Sequence, residues 1–187
     1  MQRPQTAGPR QETAPTSAAI RIAATQHDIG LARELILEYA KWLGVDLCFQ
    51  GIDEELKSLP GAYAAPLGRL LIAGTPGSAF ACIALRSLGT HSDSSDDQRR
   101  TGEVKRLYVR PSHRNQGWAR HLTKALLEEA RAIGYRELKL DTLDWMTAAR
   151  SLYAEVGFEE CAPYYANPLP GVIYMRLQLA EHVPREG

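Results

Sequence analysis

A turn between a predicted strand and a predicted helix carries the residues best suited to hold an anionic ligand. It runs from Val109 through Gly117 to Arg120. The first backbone amides of a helix have no partners inside the helix, and the helix dipole is positive at that end, so a phosphate group fits there. Gly117 has no side chain to block a close approach, and Ala119 is the next smallest choice. Because such a turn by itself is more often only structural, its interpretation depends on its neighbours.

Two adjacent cations, Lys105 and Arg106, stand shortly before this turn in a predicted central strand. Charged side chains are rare in the centre of a sheet unless one side opens onto a cleft. We therefore interpret one of them as a binding group for an acidic substrate. The alternative is that they form ion pairs with Glu103 or Asp141.

Hydrophobic periodicity and turn residues divide the chain into alternating strands and helices. Strands are predicted at residues 19–24, 69–73, 79–88, 103–110, 137–143, 158–161 and 172–179, and helices at 25–43, 53–59, 117–133 and 147–156. The strand, helix, strand unit around Gly117 implies that the strands at 103–110 and 137–143 run parallel. The turn at Pro76 and Gly77 implies an antiparallel pair before them.

Composition excludes several classes of function. The chain of 187 residues is long enough for one domain, and its 22 basic residues balance its 22 acidic residues, so it lacks the positive field of a nucleic-acid binder. The cysteines Cys48, Cys82 and Cys161 have no spacing typical of disulfides or zinc. No apolar stretch reaches the roughly 20 residues of a membrane span. We expect one domain over residues 19–180, preceded by a disordered extension (1–18) and followed by a tail (181–187). The domain should contain a solvated loop at 91–100, bind no metal and be cytoplasmic.

Two sequence blocks together resemble the GNAT superfamily of acetyl-coenzyme A dependent N-acetyltransferases. Arg114-x-x-Gly117-x-Ala119 matches the family's Arg/Gln-x-x-Gly-x-Gly/Ala turn, and Ala149-x-x-Leu152-Tyr153-x-x-x-Gly157-Phe158 matches its later helix and the strand after it. The resemblance implies an α/β fold of the α+β kind. Its sheet would be mixed and mostly antiparallel, with about seven strands, a parallel pair splayed at the coenzyme A site, and about four flanking helices.

The resemblance also implies where acetyl-CoA, as co-substrate, would bind. The pyrophosphate would lie on the backbone amides of residues 115–120, and the pantetheine arm would pair with the strand before the turn. The implied binding residues are Leu107, Tyr108, Val109, Arg114, Asn115, Gln116, Gly117, Trp118, Ala119 and Arg120. One position departs from the pattern, because many relatives carry asparagine where this chain has Met146.

Two residues take catalytic roles by family position. Glu103 is the candidate base that removes a proton from the acceptor amine, and Tyr153 is the candidate acid that protonates the departing thiolate. Glu103 would need burial, a bridging water or a late proton transfer, because a carboxylate is a far weaker base than an alkylamine. The alternatives are a surface carboxylate paired with Lys105 or Arg106, and a tyrosine whose ring is buried by an amphipathic helix.

The acceptor side is assigned by analogy with the fold. Besides Lys105 and Arg106, the loop residues Tyr63, Tyr164, Tyr165 and Asn167 are candidate binding residues, with simple packing as the alternative. The implied reaction is acetyl transfer to the primary amine of a small molecule, such as an amino acid or another carboxylate-bearing amine, by direct attack in a ternary complex. Acetylation of a peptide or protein amine and a non-catalytic acyl-CoA-binding regulatory role stay open, and a homodimer is expected only by analogy.

Overall fold

The computed structural model describes residues 18–44, 51–89 and 101–179. These residues form, in chain order, β1 (Ala19–Ile22), α1 (Gln26–Leu43), α2 (Ile52–Ser58), β2 (Arg69–Gly74), β3 (Ala81–Ser87), β4 (Thr101–Val109), α3 (Trp118–Ile133), β5 (Glu137–Leu143), α4 (Thr147–Glu155), β6 (Glu159–Glu160) and β7 (Val172–Gln178). The predicted loop at 91–100, the tail at 181–187 and all but Ala18 of the predicted extension lie outside the described residues.

The seven strands form one sheet in the order β1-β2-β3-β4-β5-β7-β6. Every neighbouring pair is antiparallel except β4 and β5, which are parallel. Together with the four described α-helices, this confirms the predicted mixed and mostly antiparallel sheet. The helix α3 links the parallel pair, as a crossover between parallel strands requires.

The parallel pairing of β4 and β5 is short. Thr101, Gly102 and Glu103 pair with Glu137, Leu138 and Lys139, and the described strands share no further pair. Both strands nevertheless continue, β4 to Val109 and β5 to Leu143. A gap therefore opens between them in the direction of their carboxyl ends.

Hydrophobic residues pack against both faces of the sheet. On one face, α3 contributes Leu122, Leu126 and Ala130 to a cluster that also contains Tyr153 of α4. On the other face, α1 contributes Leu35 and Ile36, and the cluster extends to α2 and to Leu143 at the end of β5. Helices therefore pack on both faces of the sheet beside the gap.

Local signals set the ends of these helices. The Thr25 hydroxyl accepts a hydrogen bond from the Asp28 backbone amide at 3.1 Å and donates one to the Asp28 carboxylate at 3.0 Å, as the predicted cap requires. The helix α3 ends at Gly134, whose φ of 99° lies in the left-handed region that glycine tolerates.

None of the helices in the described part of the chain combines the length and the apolar composition that crossing a bilayer requires.

Candidate active site

A bulge in β4 places both central cations on the same side of the sheet. Cys82 pairs with Tyr108 and Ala84 pairs with Lys105, so one residue of β3 faces two residues of β4, Arg106 and Leu107. Arg106 has a φ of 59°, a left-handed conformation that costs a non-glycine residue about 1–3 kcal/mol. Alternation along the strand is thereby interrupted, and the side chains of Lys105 and Arg106 both reach carboxylates.

Four side chains form a line of alternating charge across the closed end of the gap. We call Arg86, Glu103, Lys105 and Asp141 the ion chain. The Arg86 guanidinium lies 2.6 Å from Glu103 Oε2, the Lys105 ammonium lies 3.6 Å from Glu103 Oε1, and the same ammonium lies 3.1 Å from Asp141 Oδ1. The line crosses β3, β4 and β5, and each internal charge touches two opposite charges.

Glu103 is the most enclosed member of the ion chain. Its side chain is 1% exposed, and its Oε1 also accepts a hydrogen bond from the Tyr164 hydroxyl at 2.9 Å. Burial and the negative charge of Glu103 raise the pKa of Tyr164, which therefore keeps its proton and remains a donor. The alternative that Glu103 is a surface carboxylate is therefore wrong, although its pairing with Lys105 is present.

Arg106 is paired with a carboxylate that the sequence did not indicate. Its Nε and Nη2 donate to the two oxygens of Glu55 in α2, both at 2.8 Å, and its side chain is 2% exposed. Burial acts to raise the pKa of Glu55, but the hydrogen bonds and charge of Arg106 outweigh it and leave this pKa lowered. The Glu55 carboxylate therefore stabilises the fold above about pH 4.3, and this contribution is lost as the pH falls further.

The turn before α3 has the geometry of an anion site. Gly117 is the N-cap residue with a φ of 82°, and Asn115 is also left-handed with a φ of 60°. Trp118, Ala119 and Arg120 are the first residues of α3, so their backbone amides have no acceptor inside the helix. The turn is exposed, so these amides and the positive end of the α3 dipole are available to a phosphate group.

Aromatic side chains pack beside this turn at the mouth of the gap. Arg114 donates from Nε to the Val109 carbonyl at 3.0 Å, and its guanidinium lies 4.8 Å from the centre of the Trp42 ring. Trp42, at the end of α1, also contacts Trp145, in the loop after β5, with ring centres 5.8 Å apart. The two indoles thus bridge the gap where β4 and β5 have separated.

The gap contains two adjoining cavities. The larger one, of about 560 Å³, is lined by the turn before α3, by the end of β4 and by α4. The smaller one, of about 50 Å³, lies toward the ion chain, and its lining includes Lys105, Arg106, Asp141, Tyr39 and Tyr153. Leu107, Met146 and Ala149 line both cavities, so the two cavities adjoin each other.

The hydroxyl groups around the smaller cavity stay protonated at neutral pH. Burial raises the pKa of Tyr39 to about 12, with the charge of Arg106 acting in the opposite direction. Burial also raises the pKa of Tyr153, and the nearby Tyr39 and Asp141 add to this effect. The Tyr153 hydroxyl can therefore donate a hydrogen bond into the cavity, but it is a weaker acid than a free tyrosine.

The structure brings most of the predicted site residues together. Lys105, Arg106 and Tyr153 line the smaller cavity, and most of the predicted cofactor residues line the larger one. Gln116 is exposed beside the turn and donates to the Ser112 carbonyl. Tyr63 lines neither of the two cavities, because it is buried in the hydrophobic cluster under α1 and α2, where its hydroxyl lies beside the Glu55 carboxylate.

The loop before β7 packs against the ion chain. Asn167 donates to Tyr165 Oη at 2.9 Å and to Asp141 Oδ2 at 3.4 Å. The Tyr165 ring packs against Tyr164, which holds Glu103. These loop residues therefore surround the charged groups from outside rather than lining either cavity.

Sequence reasoning missed several residues of the site. Arg86 carried the same signal as Lys105, a cation within a predicted strand, and could have been found by it. Glu55 lies in a polar helix where a carboxylate is ordinary, and Trp42 lies on an amphipathic helix, so neither carried a signal. Among the described residues, no group of three or more His, Cys, Asp or Glu side chains is arranged to hold a metal ion.

Comparisons with known proteins agree with this geometry. The sequence pattern of the acetyltransferase (GNAT) family matches residues 47–158. An uncharacterised N-acetyltransferase of Schizosaccharomyces pombe is 34% identical over 168 residues, which cover 89% of this chain and 98% of that protein.

Solved structures share the fold. An acetyltransferase of the GNAT family from Staphylococcus aureus superposes with a TM-score of 0.67 at 19% identity, over 87% of this chain and all of that one. The yncA protein of Salmonella typhimurium, solved with its cofactor acetyl-CoA, superposes with a TM-score of 0.62 at 23% identity, over 91% of this chain and 98% of that one.

The buried pair of Arg106 and Glu55 leads to a prediction about stability. Arg106→Met removes the cation and leaves the enclosed Glu55 carboxylate without its main partner, so the free energy of unfolding should fall by about 3–5 kcal/mol. Arg176→Met is the matched control, because the pair of Arg176 and Glu159 is exposed and should contribute less than about 1 kcal/mol. Urea unfolding at pH 7 measures both, and equal losses would contradict the structural role of the buried pair.

Proposed function

Because this chain belongs to the acetyltransferase (GNAT) family and is therefore an acyltransferase, we propose that it transfers the acetyl group of acetyl-CoA to the primary amine of a small molecule. The observation that supports this most strongly is the parting of β4 and β5 after three residue pairs. The parting leaves an anion-binding turn at one end of a continuous gap and a small polar cavity at the other.

The larger cavity fits coenzyme A. The amides of residues 115–120 would bind its pyrophosphate, and the Arg114 guanidinium, held against Trp42, would add positive charge. The backbone of Leu107 and Val109 would pair with the amide groups of the pantetheine arm, much as an added strand would. Met146 would contribute only apolar contact there, since its sulfur already accepts a weak hydrogen bond from the Thr142 hydroxyl at 3.7 Å.

The smaller cavity would hold the reacting groups. Its volume of about 50 Å³ suits an acetyl group and the nitrogen that attacks it, but not a bulky acyl chain. Tyr153 lines this cavity, and its protonated hydroxyl would donate a hydrogen bond to the sulfur as the thiolate leaves. The amine must reach the cavity as a neutral nucleophile, so a carboxylate nearby has to take its proton.

The charges around the cavity favour some acceptors over others. A carboxylate on the acceptor would have to compete with Asp141 for Lys105 and with Glu55 for Arg106. This competition favours amines without a carboxylate, in contrast to the expectation from the sequence that one of the two cations meets an acidic group. A peptide lysine side chain has the same amine and is tested by the same assay.

Location and assembly remain predictions. Cys82 and Cys161, the two described cysteines, are both free thiols, which agrees with a reducing compartment such as the cytoplasm. A homodimer is expected only from analogy with the family.

Binding of coenzyme A tests the anion turn. Gly117→Val places a branched side chain at the amides that would hold the pyrophosphate, so it should raise the Kd for CoA at least about tenfold. Gly134→Val is the matched control, because Gly134 is also left-handed but caps the opposite end of the same helix in open space. Titration calorimetry measures both, and absence of heat with the wild-type protein would refute the proposed site.

Acetyl transfer tests the role of Tyr153. Tyr153→Phe keeps the ring but removes the donor to the leaving sulfur, so kcat should fall at least about tenfold while the Kd for CoA is unchanged. Tyr135→Phe is the control, because the Tyr135 hydroxyl is bound to the Leu67 carbonyl away from both cavities. Thiol release from acetyl-CoA is the measurement, and undiminished turnover of Tyr153→Phe would remove the assignment.

A panel of acceptors tests the proposed substrate class. Phenethylamine and phenylalanine differ by one carboxylate, and kcat/KM should be at least about tenfold higher for the amine. Small peptides with a free lysine belong to the same panel. A protein that binds CoA tightly but transfers acetyl to none of these acceptors would be the non-catalytic acyl-CoA-binding module instead. A preference for phenylalanine would indicate that Lys105 or Arg106 binds the carboxylate of the acceptor.

A further inference from the structure

The two carboxylates of the ion chain differ in their access to the smaller cavity. The Asp141 side chain is 13% exposed and lies on the cavity wall, whereas the Glu103 side chain is 1% exposed and is absent from the described wall. Tyr153, the candidate acid, lines the same cavity as Asp141. In a cavity of about 50 Å³, an occupant has to contact several of its lining groups at once.

The hydrogen bonds of Glu103 leave little room for a substrate. Its Oε2 accepts from Arg86 Nε at 2.7 Å, and its Oε1 accepts from the Tyr164 hydroxyl at 2.9 Å and faces Lys105. A nitrogen that approached Glu103 directly would have to displace Lys105 or Tyr164. The carboxylate is thus placed to hold those two side chains rather than to exchange a proton with a substrate.

The hydrogen bonds of Asp141 are longer than those of Glu103. Lys105 binds Oδ1 at 3.1 Å, and the Asn167 amide reaches Oδ2 only at 3.4 Å, near the limit of a hydrogen bond. The Tyr165 hydroxyl also interacts with this carboxylate. Because a carboxylate offers about four acceptor positions, Asp141 retains capacity for an amine.

We propose that Asp141 is the carboxylate that binds the acceptor amine and accepts its proton, and that Glu103 is a positioning residue that fixes Lys105 beside it. This inference rests on the proposed acetyl transfer and names the group that makes the amine reactive. Lys105 also places a positive charge near the bound ammonium, which favours loss of its proton.

The proposed reaction balances without any further reactant. An alkylammonium bound at Asp141 first gives one proton to that carboxylate, which later releases it to solvent, and the neutral nitrogen then attacks the thioester carbon. The new carbon to nitrogen bond forms, the carbon to sulfur bond breaks, and its electron pair leaves with the sulfur. The second nitrogen proton passes through the Tyr153 hydroxyl to the departing sulfur, so the products are an amide and a thiol and both side chains return to their starting state.

The test compares two kinds of acceptor nitrogen. Phenethylamine is protonated at pH 7 and needs a base, whereas aniline is already neutral and needs one far less. Asp141→Asn should lower kcat/KM for phenethylamine by at least about 100-fold and lower it for aniline by less than about tenfold. Glu103→Gln should lower both by a similar factor of less than about tenfold, as expected for a residue that acts through its neighbours.

Two further variants keep the comparison sharp. Glu137→Gln is the matched control, since Glu137 lies on the same strand, also pairs with a lysine at 3.4 Å, and is remote from both cavities; it should leave kcat/KM unchanged. Asp141→Glu keeps a carboxylate beside Lys105 and should recover part of the activity that Asp141→Asn loses. This variant tests the inference even where the amide variant folds poorly. Thermal unfolding and the Kd for CoA are measured on every variant to confirm that the fold and the cofactor site persist.

The outcomes separate this inference from the proposed function. Wild-type protein that acetylates amines while Asp141→Asn keeps at least about half of kcat/KM would overturn the inference alone. Equal losses with both nitrogen types, or a larger loss in Glu103→Gln than in Asp141→Asn, would also overturn it. Wild-type protein that acetylates no amine would overturn the proposed function and this inference with it.

Discussion

Three backbone pairs join β4 to β5 in the described part of the chain, and the site depends on how early that ladder ends. Where two central strands separate, their amides and carbonyls face each other across a gap without a partner strand. An unpaired polar backbone group enclosed in protein costs about 1–3 kcal/mol, so this arrangement is unfavourable unless something occupies the gap. A ligand arm with its own amide groups compensates for the missing ladder, which explains why an extended co-substrate suits this fold.

Beyond the last backbone pair, side chains rather than backbone groups connect β4 to β5. Glu103 and Lys139 form the last pair, and the next residues on the same face, Lys105 and Asp141, are joined by an ion pair at 3.1 Å instead. At the bulge, the Arg106 side chain reaches α2, where it donates two hydrogen bonds to the Glu55 carboxylate. Enclosed charges are costly when isolated, but alternation of sign along the ion chain gives each internal charge two partners.

The parts of the fold that sequence predicted best are those set by local chemistry. The boundaries of α3 were predicted to within one residue, because Leu122, Leu126 and Ala130 mark one face and glycines stand at both ends. The bulge could not be predicted, because arginine has no preference for the left-handed conformation that Arg106 adopts. Pairing of Arg106 with Glu55 joins residues 51 positions apart, so it depends on tertiary packing rather than on any local pattern. For the same reason, the burial of Glu103 was visible only once β3 and the loop before β7 were in place.

The contact between Trp42 and Trp145 has a consequence for how the gap responds to a ligand. These rings come from α1 and from the loop after β5, and they meet at an interplanar angle of 58° through apolar contact. Apolar burial has no preferred direction, so this contact fixes the separation of the two strands less tightly than a hydrogen bond would. A ligand that widens the mouth of the gap therefore breaks no directional bond between these rings, whereas widening the other end would break the ion pairs of Lys105.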